Sequence, residues 1–276
     1  MQLADIDAGL RLCRASRWNQ TRRDWELFLT LSPQGCRVAL HDQQIIGTVA
    51  TINYENRFSW VAMVLVDPAF RGQGIGTRLM NEALTILQDV PAIRLDATPA
   101  GQPVYRQLSF TGEYGLSRME AVIERENLSS PSQHIRPMRH EDLIAIAKFD
   151  REVFGADRRA LLEWMLAGGV EYAWVKESRK EITGYCLGRY GHNAEQLGPV
   201  VARDQNTARA LVTACLSEHH SKPFYLDTPH HDAEWLAWLT SIGFREQRPF
   251  LRMGRGANAF RGLPEQQFAI VGPEFG

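Results

Sequence analysis

The chain has 276 residues, more than one domain usually contains, so we expect two domains of about half the length each. Apolar residues make up 44% and charged residues 23%, which is typical of folded globular proteins. The 31 lysines and arginines nearly balance the 32 aspartates and glutamates, which argues against binding to nucleic acid or to an anionic membrane. Four widely spaced cysteines and the absence of a signal-peptide pattern or a long apolar run predict a cytoplasmic protein with reduced thiols.

Helices and strands are predicted to follow one another along both halves of the chain. In the first half the apolar periodicity predicts helices over about 5–15 and 21–31, a hairpin over 36–53, a strand over 58–66, a helix over 75–88, a strand over 92–97, a helix over 101–108 and a strand over 117–124. In the second half it predicts a helix after Met138 and helices over 158–166, 207–219 and 233–240, with a strand over 224–227. The fold class is therefore α/β (α+β), with a mixed sheet in each half.

Short sequences recur between the two halves. Leu95–Pro99 (LDATP) returns as Leu226–Pro229 (LDTP), and in each half a helix-like stretch that ends at an aromatic residue follows. Between the halves lies the sequence NLSSPS at 127–132, whose residues form helices and strands poorly. We therefore predict domains over 1–130 and 131–276, with the boundary near residue 132.

The connection between the predicted strand at 61–66 and the next predicted helix has the composition of an anion-binding loop. Glycines at 72, 74 and 76 permit a tight turn and a close approach of an anion to the main chain, and the start of the helix adds unpaired N–H groups. Thr77 stands where a Rossmann fingerprint needs glycine, and the lysine of a P-loop is missing. A pyrophosphate site and a purely structural tight turn are the two remaining interpretations.

Val66–Gly76 (VDPAFRGQGIG) resembles motif A of the GNAT superfamily of N-acetyltransferases, which binds the pyrophosphate of coenzyme A. Tyr105–Phe110 (YRQLSF) is similar to a second segment of that family, except that Ser109 replaces the usual glycine. The resemblance implies acetyl-CoA as the co-substrate. It also implies a tandem GNAT fold of two acyl-CoA N-acyltransferase-like domains, the first catalytic and the second degenerate.

The resemblance further implies which residues contact the coenzyme. A backbone strand that binds pantetheine, the pyrophosphate loop and a position often occupied by asparagine correspond here to Val64, Leu65, Val66, Arg71, Gly72, Gln73, Gly74, Ile75, Gly76 and Thr98. Tyr105 corresponds to the tyrosine that can protonate the leaving thiolate, so it is the predicted general acid. The alternative is that Tyr105 only packs on an amphipathic helix.

Deprotonating the acceptor amine requires a base, for which Asp96, Glu55 and His41 are the candidates in the first half. Strand alternation favours Asp96, because it places the carboxylate on the face opposite Leu95, although a structural ion pair or turn cap would explain Asp96 equally well. Glu55 is also a predicted substrate contact.

Two tryptophans and a histidine pair complete the candidate residues. Trp18 and Trp25 lie in a segment that resembles the substrate side of two-domain GNAT proteins, so they are predicted to line the amine pocket or else to be ordinary core residues. His230 and His231 adjoin Asp232, but neighbouring ligands on one turn cannot readily share a tetrahedral ion, and no metal is predicted.

The second half lacks the features that would make a coenzyme site. Val201–Arg209, at the position of motif A, contains no glycine, and tryptophan and leucine occupy the helix that carries the tyrosine in the first half. We predict one coenzyme site per chain, while the second half shapes the substrate pocket or a homodimer interface.

The predicted function is transfer of an acetyl group from acetyl-CoA to a primary amine of a small molecule, an amino-acid derivative or a peptide. The alternative is a non-catalytic acyl-CoA-binding sensor or assembly module. Tyr105 discriminates between them, because only an enzyme needs a proton donor near the sulfur.

Overall fold

The computed structural model describes residues 1–124, 128, 134–179, 181–257 and 259–276. The predicted domain boundary near residue 132 lies outside these residues, so it stays a prediction. The elements of the first half are α1 (Ile6–Ala15), α2 (Arg22–Leu31), β1 (Arg37–His41), β2 (Gln44–Tyr54), β3 (Phe58–Val66), α3 (Ile75–Ile86), β4 (Ala92–Ala97), α4 (Gln102–Gln107) and β5 (Thr111–Val122).

The second half repeats this alternation of helices and strands, which confirms the α/β class. Its elements are β6 (Ile135–Pro137), α5 (Leu143–Phe154), α6 (Arg159–Gly168), β7 (Trp174–Ser178), β8 (Glu181–Arg189), β9 (Glu195–Ala202), α7 (Gln205–Glu218), β10 (Pro223–Pro229), α8 (Ala233–Ser241), β11 (Arg245–Gly256) and β12 (Gln267–Ala269). Most predicted bounds agree within a few residues, but β5 begins at Thr111 rather than at residue 117.

Local sequence explains the elements that later frame the site. Helix α2 begins with a capping box, in which the Asp24 carboxylate accepts a hydrogen bond from the Thr21 backbone N–H at 2.6 Å. Helix α1 turns Ile6, Leu12 and Cys13 inward at helical spacing. Strands β2 and β3 are buried along nearly their whole length because helices cover both faces of the sheet.

The described strands form one twelve-stranded mixed sheet that runs through both halves. Its order is β1-β2-β3-β4-β11-β5-β10-β9-β8-β7-β6, with β12 on β9. Strand β11 of the second half lies between β4 and β5 of the first, and β5 pairs with β10 of the second. Each half therefore completes its sheet with the last long strand of the other half.

The C-terminal residues 270–276 enter the core between the two halves. Ile270, Val271 and Phe275 are fully buried. Tyr54 of the first half donates a hydrogen bond to the Phe275 carbonyl at 2.8 Å, and Arg158 of the second half donates one to the Gly276 carbonyl at 2.7 Å. The apolar composition of this segment predicts packing on one domain, whereas the structure shows contacts with both.

Candidate functional site

The predicted anion-binding loop is open and lies at the start of α3. Gly72 and Gly74 have φ angles of 77° and 75°, in the left-handed region that favours glycine, and no atom lies within 4 Å of a Cβ built at either residue. Gly74 is the N-cap of α3, so the backbone N–H groups of the first helical turn have no partner within the helix. These N–H groups and the positive end of the helix dipole suit a pyrophosphate.

Strand β3 bends where the sheet must open for an acyl-pantetheine arm. Met63 has a φ of 54°, and its carbonyl accepts a hydrogen bond from the Thr48 hydroxyl at 2.8 Å, next to a shift in the β2–β3 register. Pairing between β3 and β4 occurs only at Ser59 and Trp60. Beyond Trp60 the two strands separate within the described residues, which leaves the β4-facing edge of β3 open over 64–66.

Tyr105 lies on α4 beside this opening. Its ring makes an edge-to-face contact with Phe110, at a centroid separation of 6.1 Å. Burial raises the pKa of the Tyr105 hydroxyl to about 12, so the phenol carries its proton at neutral pH. A protonated phenol in this position can serve as a proton donor.

One cavity of about 850 Å³ joins the loop, the open edge of β3 and Tyr105. It also brings together most of the predicted site residues: Trp18, Val64, Leu65, Val66, Arg71, Gly72, Gly74, Ile75, Gly76, Asp96, Thr98 and Tyr105. The Gln73 side chain is exposed and does not line the cavity. The part of the lining contributed by the α1–α2 connection, β5, β11 and the C-terminal segment is called here the acceptor end. It consists of Trp18, Gln20, Arg118, Arg248, Phe250, Pro273 and Glu274.

The structure pairs Asp96, the predicted general base, with an arginine of the other half. Its side chain has 0% exposure, and both carboxylate oxygens accept hydrogen bonds from Arg252 at 2.9 Å. Because Arg252 holds both oxygens, accepting a proton from an amine would break a buried ion pair, which favours a structural role for Asp96. Strand alternation correctly gave its face, but its partner comes from the other half of the chain.

The structure does not bring Glu55 and Trp25, the predicted substrate contacts, into the cavity lining. Glu55 lies in the turn between β2 and β3, outside the cavity lining, where it forms an ion pair with Arg151 at 3.0 Å and accepts a hydrogen bond from the Asp157 backbone. Trp25 is fully buried in the core and packs against Phe28 at a centroid separation of 6.3 Å. His41, the other base candidate, is exposed on β1 and does not line the cavity.

The histidine pair of the second half belongs to polar contacts of the sheet. His230 Nε2 lies 2.8 Å from the Ser117 hydroxyl, which donates a hydrogen bond to Glu246 at 2.6 Å. His231 packs against Tyr114 at a centroid separation of 4.4 Å. No group of side chains suited to hold a metal ion occurs in the described part of the chain.

The second half has no open loop equivalent to the one before α3. Helix α7 stands in the corresponding place, and the side chain of Asp204 caps it by accepting hydrogen bonds from the backbone N–H and the hydroxyl of Thr207 at 2.8 and 3.0 Å. This carboxylate occupies the helix end where an anion would bind. One coenzyme site per chain, in the first half, stays a prediction.

Three charged residues at the acceptor end were not identified from sequence: Arg118 on β5, Arg248 on β11 and Glu274 in the C-terminal segment. No local motif marks them, because they meet only after β5 and β11 exchange between the halves. The part of the chain that the structure describes contains no helix long and apolar enough to cross a membrane.

Comparisons with known proteins give the same family for both halves. Residues 8–110 match the family model of the acetyltransferase (GNAT) family, and residues 146–269 match that of an acetyltransferase (GNAT) domain. A curated relative, the holothin acyltransferase of Pseudoalteromonas sp. (strain SANK 73390), is 25% identical over 243 residues, which cover 88% of this chain and 82% of the relative.

Solved structures share the fold over nearly the whole chain. A Pyrococcus horikoshii protein that is described as an acetyltransferase has a TM-score of 0.83 and 20% identity, with 100% of this chain and 94% of that chain covered. A tandem GNAT protein from the clavulanic acid biosynthesis pathway has a TM-score of 0.65 and 12% identity, with 92% and 95% covered. The two matching halves, the shared fold and the cavity beside α3 lead to one conclusion: the chain belongs to the GNAT acyltransferases, with two GNAT domains in tandem.

Proposed function

We propose that this enzyme transfers an acetyl group from acetyl-CoA to a primary amine of a small molecule, an amino-acid derivative or a peptide. The observation that carries the proposal is the single cavity in which the glycine loop, the open edge of β3 and the Tyr105 hydroxyl meet an acceptor end built by both halves. We also assign it to the cytoplasm, in keeping with four buried free cysteines.

The residues of the cavity can support each part of an acyl transfer. The N–H groups at the start of α3 would bind the pyrophosphate, and the unpaired edge of β3 over 64–66 would align the pantetheine arm and polarise the thioester carbonyl. The amine nitrogen forms a bond to the carbonyl carbon, the carbon–sulfur bond breaks, and the thiolate takes the Tyr105 proton. The proton lost by the nitrogen goes to a base.

We assign that base to Glu274. Asp96 and Glu274 are the two carboxylates that line the cavity, and Asp96 is fully paired with Arg252. Glu274 contacts Arg189 through Oε1, whereas its Oε2, also buried, has no hydrogen-bond partner among the described residues. Arg189 also binds Asp24 at 2.8 Å, so two carboxylates share one guanidinium. A carboxylate with a free oxygen and an incompletely balanced charge is suited to accept a proton.

The test is thiol release from acetyl-CoA with a panel of primary amines, beside calorimetric acetyl-CoA binding. Tyr105→Phe should keep its affinity for acetyl-CoA and lose about 10²- to 10⁴-fold in kcat, because only the proton donor is removed. Tyr190→Phe is the matched control, since that hydroxyl is exposed and contacts Glu171 outside the cavity.

Each other outcome has a definite meaning. Tight acetyl-CoA binding without turnover of any amine would favour the sensor or assembly module. Faster turnover with a longer acyl-CoA than with acetyl-CoA would show that the donor is the longer acyl-CoA. Absence of acyl-CoA binding would refute the assignment of the glycine loop.

A further inference from the structure

Two arginines lie directly opposite each other at the acceptor end of the cavity. Arg118 on β5 and Arg248 on β11 are cross-strand partners in the antiparallel register, and both line the cavity. Like charges in this position destabilise a sheet. Such a pair is therefore expected where a ligand supplies the missing negative charge.

The structure balances the charge of only one of them. Asp227 accepts hydrogen bonds from Arg118 Nε and Nη2 at 2.9 and 2.8 Å, and Gln196 holds the same carboxylate at 2.8 Å. Arg248 is half-buried, and no carboxylate or carbonyl of the described residues accepts a hydrogen bond from it. Burial, and then the neighbouring charge of Arg118, lower the pKa of Arg248, while Asp227 opposes the shift.

This pair is separate from the predicted pyrophosphate site. The glycine loop connects β3 to α3, whereas β4 and β11 separate β3 from β5 in the sheet. The coenzyme enters where β3 and β4 diverge, so Arg118 and Arg248 face the part of the cavity that remains for the acceptor.

The surroundings of the pair suit an organic acid rather than a solvated ion. The Arg118 guanidinium lies 5.9 Å from the centroid of Phe250, and Phe250, Trp18 and Pro273 supply apolar walls. Apolar walls weaken the screening of a charge by water, and the planar guanidinium fork matches the two oxygens of a carboxylate. Glu274 lies close enough for the charge of Arg118 to oppose the rise in its pKa, so a carboxylate adjoins the arginine pair.

We propose that the acceptor is an amino carboxylic acid, whose carboxylate binds to Arg248 with support from Arg118 while its amine faces Glu274. This proposal rests on the proposed function and adds the substrate class to it. The body between the two groups is apolar, because aromatic and proline side chains line that part of the cavity. Arg248 is a specificity-determining residue rather than a member of the proton-transfer machinery.

The experiment compares matched acceptors that share one amine and differ only in the acid group: an apolar amino carboxylic acid, its primary amide and the corresponding aminophosphonate. The unmodified enzyme should prefer the carboxylate to the amide by about 10- to 100-fold in kcat/KM. Arg248→Gln should bring the ratio of kcat/KM for the acid to that for the amide close to one, through a higher KM for the acid.

Two controls separate charge recognition from general damage. Arg245→Gln changes an exposed arginine of the same strand, whose side chain is 81% exposed, and should retain the preference for the acid. The melting temperature of Arg248→Gln should be equal to or above that of the unmodified protein, because the substitution relieves repulsion from Arg118. Arg248→Lys should restore part of the preference.

The results can overturn this proposal without touching the proposed function. Equal use of the acid and its amide, or an equal loss on both in Arg248→Gln, would refute carboxylate recognition while acyl transfer to amines stands. A preference for the aminophosphonate would refute the carboxylate assignment. Failure of every amine would instead refute the proposed function.

Discussion

Arg252 on β11 binds Asp96 on β4 through two parallel hydrogen bonds of 2.9 Å, although the two residues are 156 positions apart in the chain. Their side chains are 5% and 0% exposed. Arg252 also lies over Trp60, with its guanidinium carbon 4.6 Å from the ring centroid. One buried ion pair thus fastens the exchanged strand of the second half to the strands beside the proposed coenzyme site.

Arg252→Met should lower the free energy of unfolding by about 3–5 kcal/mol, because it leaves the Asp96 carboxylate buried without a partner. Chemical denaturation measures this change. Arg245→Met, which breaks an exposed pair with Glu120 on neighbouring strands, should change stability by less than about 1 kcal/mol. The double variant Asp96→Leu with Arg252→Met should recover much of the loss, since no charge remains buried. Equal stabilities of all these proteins would contradict the structural role of the pair.

The loss of unfolding free energy in Phe275→Ala measures how strongly the C-terminal segment stabilises the fold. Its ring is fully buried and stacks on Phe28 at a centroid separation of 5.0 Å. Phe275→Ala should cost about 3–5 kcal/mol of unfolding free energy, whereas Leu40→Ala, at a side chain that is 62% exposed, should cost less than about 0.5 kcal/mol.

Phe275→Ala should weaken binding of the acceptor amine more than binding of acetyl-CoA. Pro273 and Glu274 line the acceptor end and adjoin Phe275, while the glycine loop belongs to a different part of the lining. We expect a higher KM for the amine and an unchanged calorimetric affinity for acetyl-CoA. A loss of affinity for acetyl-CoA alone would show that the segment has a different role.

Alanine substitutions at two glycines, one in the glycine loop and one outside the cavity, should have different effects on acetyl-CoA affinity. Gly74→Ala places a methyl group in the open space before α3 and strains a left-handed residue by about 1–2 kcal/mol, so acetyl-CoA affinity should fall about tenfold or more. Gly243→Ala is the control, because Gly243 has a φ of 109° outside the cavity, and the nearest atom to a built Cβ is 3.5 Å away. It should lose stability but keep its affinity for acetyl-CoA. Equal affinities in both variants would remove the loop from the binding site.

Local patterns explain why the coenzyme end of the cavity could be predicted from sequence. The apolar strand, the three glycines and the following helical period lie within one short stretch of sequence. In the structure the glycines lie at the N-terminus of α3, in the lining of the cavity. Tyr105 was identified through the resemblance of Tyr105–Phe110 to a second segment of the GNAT family, and the structure places it in the lining of the same cavity. These features depend on spacing along the chain and not on distant partners.

The acceptor end could not be predicted because it depends on pairing between the halves. Strand alternation gave the face of Asp96, but the partner Arg252 arrives only when β11 inserts between β4 and β5. Arg118 and Arg248 become neighbours by the same exchange. Trp25 and Glu55 lie close in sequence to residues that line the cavity, but their own side chains turn away from it. Trp25 points into the core, and Glu55 points toward α5.

Glu274 predicts a specific dependence of the rate on pH. Burial raises the pKa of its carboxyl above the ordinary range, while Arg189 opposes the shift. Below this raised pKa the carboxyl is protonated and cannot accept a proton from the amine, so kcat/KM should rise with pH through it. Glu274→Gln should lower kcat and remove this rise. The titration of the amine itself is common to the unmodified enzyme and to Glu274→Gln, so it cancels in the comparison.

Asp24→Asn supplies the control, because Asp24 binds the same guanidinium without lining the cavity. With Asp24 neutral, Arg189 stabilises the Glu274 carboxylate more strongly, so the rise should move to lower pH rather than disappear. Both variants disturb the same buried cluster and should lose comparable stability. Loss of the rise in Glu274→Gln, together with its shift to lower pH in Asp24→Asn, would identify Glu274 as the base. Identical profiles for the two variants would show that Glu274 is only a structural residue of the C-terminal segment.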